Sequence, residues 1–201
     1  MARAKRWPRS RGEDRRGQIA DLLSIHVRPP EVEDRQFPGH WEGDLIKGAG
    51  NLSAVGTLVE RSTRLVMLVK LPHPHPATAA HVLQAFTDKL NSIARPMRKT
   101  LTYDRGREMA HHQQLTANTG VAVYFCDPHS PWQRGTNENT NGLLRQFLPK
   151  GTDLSVYSQH QLDEIADLMN GRPRQTLGWQ TPLEVYEQWL HKLQHSPDSI
   201  Q

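Results

Sequence analysis

Cysteine is almost missing from this sequence: Cys126 is the single one in 201 residues. One thiol cannot close an internal disulfide, and it is too few for a cysteine-based zinc site. No apolar run approaches the ~18 residues needed to span a bilayer, which excludes a transmembrane helix of ordinary length. The N-terminal MARAKRWPRSRGEDRRG is basic but has no apolar stretch behind it, so it does not read as a secretory signal. Internal repeats and long low-complexity segments are also absent. These absences fit a protein of a reducing cytosol.

What is present is a polar globular composition, 36% hydrophobic with a net charge of +4, enough for one domain and an appendage. The charge is uneven. Residues 1–28 hold eight Lys and Arg against three acids, and the other residues hold seventeen against eighteen. A basic arm on a nearly neutral body suits a polyanion, most often nucleic acid. A solvated tail explains the charge equally well. We place the arm at residues 1–37 and the core at 38–201.

Within the arm a short helix near 16–23 is expected before Pro29-Pro30 and Phe37-Pro38-Gly39 force extended or turn structure. The core opens with three strand-like stretches, HWEGDLIKG, SAVGTLVERS and TRLVMLVKL, the last two joined by a short hairpin link at Arg61-Ser62. ATAAHVLQAFTDKLNSIA has apolar residues at helical spacing. KTLTYD and VAVYFC read as strands, separated by a helix that Gly120 closes. Helices are expected near 136–147, 158–170 and 182–195. The order βββαβαβα predicts an α/β fold, a mixed sheet with helices on both faces and extra C-terminal helices from about residue 158.

Three acids stand out against this framework. Asp44 lies in the first strand, Asp104 ends the fourth, and Glu138 sits in the first turn of the helix after the fifth. Carboxylates beside apolar strands need compensation, because an unpaired buried charge is costly. Converging carboxylates can hold Mg²⁺, a hard cation that prefers oxygen ligands. Glu138 is surrounded by Asn137, Asn139 and Asn141, amides that can hydrogen-bond a carboxylate or phosphate without adding competing positive charge. A surface helix with an Asn-rich N-terminus explains the same letters.

The blocks GHWEGDLI, TLVERSTR, TYDRGREMAHH, YFCDPHSPWQRGTNENTNGLLRQFLPKGTDLS and NGRPRQTLGWQTPLEV, in this order, resemble those of bacterial insertion-sequence transposases of the insertion-sequence thirty (IS-thirty) family. The order strand-Asp, strand-Asp, helix-Glu resembles the DDE core of transposases and retroviral integrases. The resemblance implies a ribonuclease H-like fold and a DNA strand transferase acting in the bacterial cytoplasm. Asp44, Asp104 and Glu138 would be both the catalytic residues and the ligands of two Mg²⁺ ions, with Mn²⁺ able to substitute. The reaction would cut double-stranded DNA at transposon ends and join the 3′-OH to target DNA, in a homodimer or larger assembly. Arg134 and Arg145 match basic positions that accompany the glutamate, whereas Pro131 and Trp132 stand where a tyrosine is usual.

Lys150, Arg172 and Arg174 are further candidates for contacting the DNA backbone, and Trp179 is expected in the core. Relatives carry an N-terminal helix-turn-helix region where this chain has a basic arm, so end-specific binding is expected to be weak. The rival readings are a nuclease of the same fold that cuts without joining, and an inactive DNA-binding fragment. Glu42 competes with Asp44, since alternate strand residues share a face. Glu108 is a candidate supporting acid, Asp127 reads as a turn residue, and His129 either contacts DNA or has no role. The eleven histidines show no HExxH pattern. His111 and His112 are adjacent and so do not share a helical face, and His73 and His75 lie in a Pro-rich loop.

Overall fold

Alternation decides the sheet. In the computed structural model, which describes residues 19–72 and 77–195, six strands form one mixed sheet. They are β1 (Leu23–Ser24), β2 (His40–Lys47), β3 (Ala54–Glu60), β4 (Val66–Lys70), β5 (Thr100–Tyr103) and β6 (Ala122–Phe125). Their spatial order is β1-β6-β5-β2-β3-β4. β2, β3 and β4 are antiparallel, and β5, β6 and β1 continue from β2 in parallel. The helices are α1 (Glu31–Asp34), α2 (Ala79–Asn91), α3 (His112–Thr119), α4 (Gly135–Leu144), α5 (Gln159–Asn170) and α6 (Pro182–Gln194).

Each face of the sheet has its own core. On one, Trp41, Leu45, Leu58, Leu101, Tyr103, Val123 and Phe125 pack with Val82, Phe86 and Leu90 of α2 and Leu115 of α3, and α6 adds Trp189 and Leu190. On the other, Ile46, Val55, Val59, Val66 and Leu68 pack with Leu144 of α4 and Leu162, Ile165 and Met169 of α5. Burying each such large apolar side chain stabilises the fold by ~1.5–3 kcal/mol. Helix ends follow local chemistry. Ser158 with Gln161 and Thr181 with Glu184 form capping boxes, and Gly120 closes α3 at φ 75°.

The structure differs from the sequence reading at four places, the first being the short helix α1 after Pro30, where the prolines predict extended or turn structure. Residues 19–23 are not helical, and Leu23–Ser24 pairs with β6; residues 16–18 of the expected helix lie outside the described residues. The hairpin turn is longer than Arg61-Ser62: Glu60 donates its N–H to the Leu65 carbonyl and β4 begins at Val66. The buried Glu60 carboxylate makes this turn by accepting from the Ser62 and Thr63 N–H groups and the Thr63 hydroxyl. Trp179 is not in the core; it is 69% exposed, on a loop where its φ is 69°. From Ile19 onward the basic arm packs on the sheet, and Arg28 is 7% exposed with its guanidinium donating to the Thr102 hydroxyl at 2.7 Å. Among the described residues no helix is long and apolar enough to cross a membrane.

His40, 1% exposed at the start of β2, shares a hydrogen bond of 2.9 Å between Nδ1 and the Thr100 hydroxyl. Burial, with the positive charge of Lys99 next, lowers its pKa from 6.5 to about 4; Glu31 acts in the opposite sense. The unfolded chain therefore takes a proton near pH 6.5 that the folded one refuses until about 4. Its contribution to stability is complete above pH 6.5 and is lost as pH falls toward 4, a change of roughly 3 kcal/mol. Denaturant titrations from pH 7 to 4.5 should show this decline, and His40→Gln should flatten it. Parallel curves for the two proteins would mean that the imidazole titrates normally.

Candidate active site

The polar half of the α4-facing side of the sheet holds the site. Glu42, Asp44 and Ile46 share one face of β2, because strand side chains alternate. Ile46 joins the apolar core, while Glu42 and Asp44 face α4 at Asn137 and Asn141. Between them Gly43 is required for space: a Cβ there would meet the Tyr103 ring at 2.8 Å.

Asp44 and Asp104, far apart in sequence, meet at one guanidinium. Arg134 Nη1 lies 3.5 Å from Asp44 Oδ1, and Nη2 lies 3.3 Å from Asp104 Oδ2. Arg134 Nη1 also donates to the Gly43 carbonyl at 2.7 Å. Asp44 accepts from the Leu45 N–H at 2.8 Å and from Asn141 Nδ2 at 3.0 Å. Asp104 accepts from the Gly106 N–H at 3.0 Å.

Burial pushes the Asp44 carboxyl above its ordinary range; Arg134 and the Leu45 N–H oppose this, and the Asp104 charge adds to it. Burial also works against the Arg134 cation, but Asp44 and Asp104 outweigh it and raise its pKa. The electrostatic character is an excess of carboxylate drawn around one cation.

Glu138 is exposed on α4, one helical turn before Asn141. Among the described residues, no group of three or more His, Cys, Asp or Glu is placed to hold a metal ion. The structure thus brings Asp44 and Asp104 together and leaves Glu138 outside their cluster. The donor set still fits a hard divalent cation. Two carboxylates converge on positive charge, and a third is carried by the helix whose Asn141 touches Asp44. Glu108 stands nearby. Burial raises its pKa, with the charges of Asp104 and Asp44 adding, and its carboxyl would meet a Cβ on Gly106 at 2.5 Å.

Glu42 has a different environment. It is fully buried, and Oε1 accepts from Arg61 Nη1 at 2.8 Å. Oε2 accepts from the Asn137 N–H at 2.8 Å, and the Glu42 carbonyl accepts from Asn137 Nδ2 at 2.9 Å. Asn137 Oδ1 accepts from the Thr57 hydroxyl at 3.2 Å. Glu42 therefore ties the first turn of α4 to β2. Two of the three asparagines around Glu138 hold carboxylates of β2, Asn137 that of Glu42 and Asn141 that of Asp44.

An integrase core domain family matches residues 34–131, a span that includes Asp44 and Asp104 and ends before Glu138. The chain is 72% identical over 190 residues to the transposase for insertion sequence element IS1086 of Cupriavidus metallidurans, across 94% of this chain and 55% of that protein. It is 49% identical over 177 residues to transposase InsI for insertion sequence element IS30A of Escherichia coli, across 88% of this chain and 45% of that protein. The chain is thus similar, over most of its length, to transposases of the IS30 (IS-thirty) kind. It spans about half the length of the curated relatives it matches. The fold is that of integrase catalytic cores, the ribonuclease H-like fold. The catalytic core domain of BIV integrase aligns with a TM-score of 0.54 at 19% identity, covering 77% of this chain and 97% of that one. A chain of the simian T-cell lymphotropic virus intasome aligns with a TM-score of 0.55 at 17% identity, over 80% of this chain and 56% of that one.

The other candidates read from the sequence differ in what they touch. Arg134 is 6% exposed and engaged by the two aspartates. Arg145 donates to the Lys47 and Leu148 carbonyls at 3.3–3.4 Å. Lys150 and Arg172 are exposed, Arg172 lying 5.5 Å from the centre of the Phe147 ring. Asp127 precedes the turn at Pro128-His129, and its carboxylate meets His26 and Gln133. A cavity of about 410 Å³ opens beside Asp104 and includes Arg105 and His129 in its wall. Sequence reasoning missed Arg105, though it directly follows Asp104. His73 and His75 lie outside the described residues.

Proposed function

We propose that this chain is the catalytic core of a DNA transposase that cuts double-stranded DNA at transposon ends and joins the 3′-OH to target DNA. The observation that carries the reading is the meeting of Asp44 and Asp104 at Arg134 within an integrase-core fold. Asp44, Asp104 and Glu138 would hold two divalent ions, Mg²⁺ with Mn²⁺ as a substitute. When bound, such ions activate an attacking oxygen and stabilise the leaving oxygen of a phosphodiester. The Leu45 N–H and Asn141 orient Asp44, and the Gly106 N–H orients Asp104. Arg134 offsets their mutual repulsion and keeps both within reach of one cation. Joining two ends calls for at least two protomers, and the reaction would take place on DNA in the bacterial cytoplasm.

A pre-cut duplex of element-end sequence, incubated with plasmid and Mg²⁺, should give covalently joined product, and an end lacking its 3′-OH should give none. Cutting without joining would instead identify a nuclease. Binding without cutting would identify a DNA-binding fragment.

A further inference from the structure

A second cavity, of about 380 Å³, lies beside the N-terminal half of α4. Arg35, Arg64 and Arg174 line it with Thr136, Asn139 and Thr140 of α4, and no acidic side chain takes part in its wall. The three arginines come from the end of α1, the β3–β4 turn and the loop after α5. Among the described residues none of the three is paired with a carboxylate within salt-bridge distance.

Their donors are only partly used. Arg64 Nη1 donates to the Thr136 hydroxyl at 2.7 Å, and Arg174 Nη2 donates to the Met169 carbonyl at 3.3 Å. Arg174 Nε is buried without a partner. Burial, with the positive charge of Arg35 next, lowers the Arg64 pKa against the opposing charges of Glu42 and Glu60; burial and Arg172 lower that of Arg174. Arg35 and Arg64 both occupy the left-handed region, at φ 52° and 63°, which is uncommon for residues other than glycine. Cations brought together from three elements, with no carboxylate in the cavity wall, call for an anion. The guanidinium fork matches phosphate oxygens, and the positive end of the α4 dipole adds to the attraction.

From this we infer that Arg35, Arg64 and Arg174 form a phosphodiester-binding pocket that grips the DNA backbone away from the scissile bond. The inference rests on the transposase reading for its ligand, the backbone of double-stranded DNA. The pocket and the aspartates lie on different sides of α4: Thr136, Asn139 and Thr140 share one stripe of the helix, whereas Asn137 and Asn141 face β2. DNA held here is gripped independently of Asp44 and Asp104.

The test combines two probes on the full chain. Inorganic phosphate, titrated and followed by NMR, should shift the Thr136 and Asn139 amides saturably, and the shifts should vanish in Arg64→Gln/Arg174→Gln. Binding of a short duplex, measured against salt, should lose roughly 0.9 from its log–log slope for each arginine removed. The single surface change Arg35→Gln should show one such step without disturbing the fold. Unmoved pocket amides, or an unchanged slope in a folded variant, would overturn the pocket. Cleavage assayed in parallel separates the two readings. If the slope is unchanged but cutting persists, the pocket falls and the transposase core stands. Phosphate shifts with no cutting by the wild type reverse that result.

Discussion

Asp44→Asn is expected to abolish DNA cutting and joining, by at least about a thousandfold, a loss of some 4 kcal/mol of transition-state stabilisation. The same substitution should make the protein slightly more stable. Asp44 is 24% exposed, and burial raises its carboxyl pKa even with Arg134 beside it. A raised carboxyl contributes stability below its unfolded pKa and loses that contribution as pH rises through the folded value. Ionising Asp44 therefore costs the fold stability, and the uncharged amide removes that cost and keeps an oxygen for the Leu45 N–H, while giving up the acceptor of Asn141 Nδ2. The two signs together identify a residue retained for chemistry over stability. Strand-transfer assays and thermal melts on one preparation decide it. An inactive variant that also melts well below the wild type would make Asp44 a structural residue.

Glu42→Ala is expected to act in the opposite way, through the fold. It would leave Arg61, 2% exposed, without its closest carboxylate, since its other partner, Glu33, lies 3.4 Å away and is mostly exposed. It would also strip the Asn137 N–H of its acceptor. Breaking a buried pair by removing one partner costs about 3–5 kcal/mol, or roughly 10 °C in melting temperature for a chain of this size. Glu42→Gln keeps an oxygen for Asn137 and should lose less. Denaturant midpoints for the three proteins give the order. A Glu42→Ala protein as stable as the wild type would show that the β2–α4 tie does not support the fold.

The pair Glu42 and Asp44 shows where sequence stops being sufficient. Period-two alternation places both on one face of β2, and nothing local separates them. The separation comes from Arg61, in the turn beyond β3, and from Arg134, far along the chain. One guanidinium meets Glu42 and the other meets Asp44. Trp179 teaches a similar lesson from the other side. An aromatic in a loop reads as an anchor, yet its left-handed backbone turns it outward. The two-residue strand β1 is too short to carry any alternation, and it exists only because β6 offers it an edge.

By itself the sequence determined the five longer strands, the long amphipathic helices and the helix end at Gly120, because period and turn chemistry are local properties of the chain. It also carried the ordered blocks that mark the family. Tertiary structure alone decided which acid meets which cation, that Arg145 is spent on backbone carbonyls, and that Arg35, Arg64 and Arg174 share a cavity. Those outcomes depend on charges brought together from distant segments, and electrostatic energy follows distance through space, which residue order does not encode.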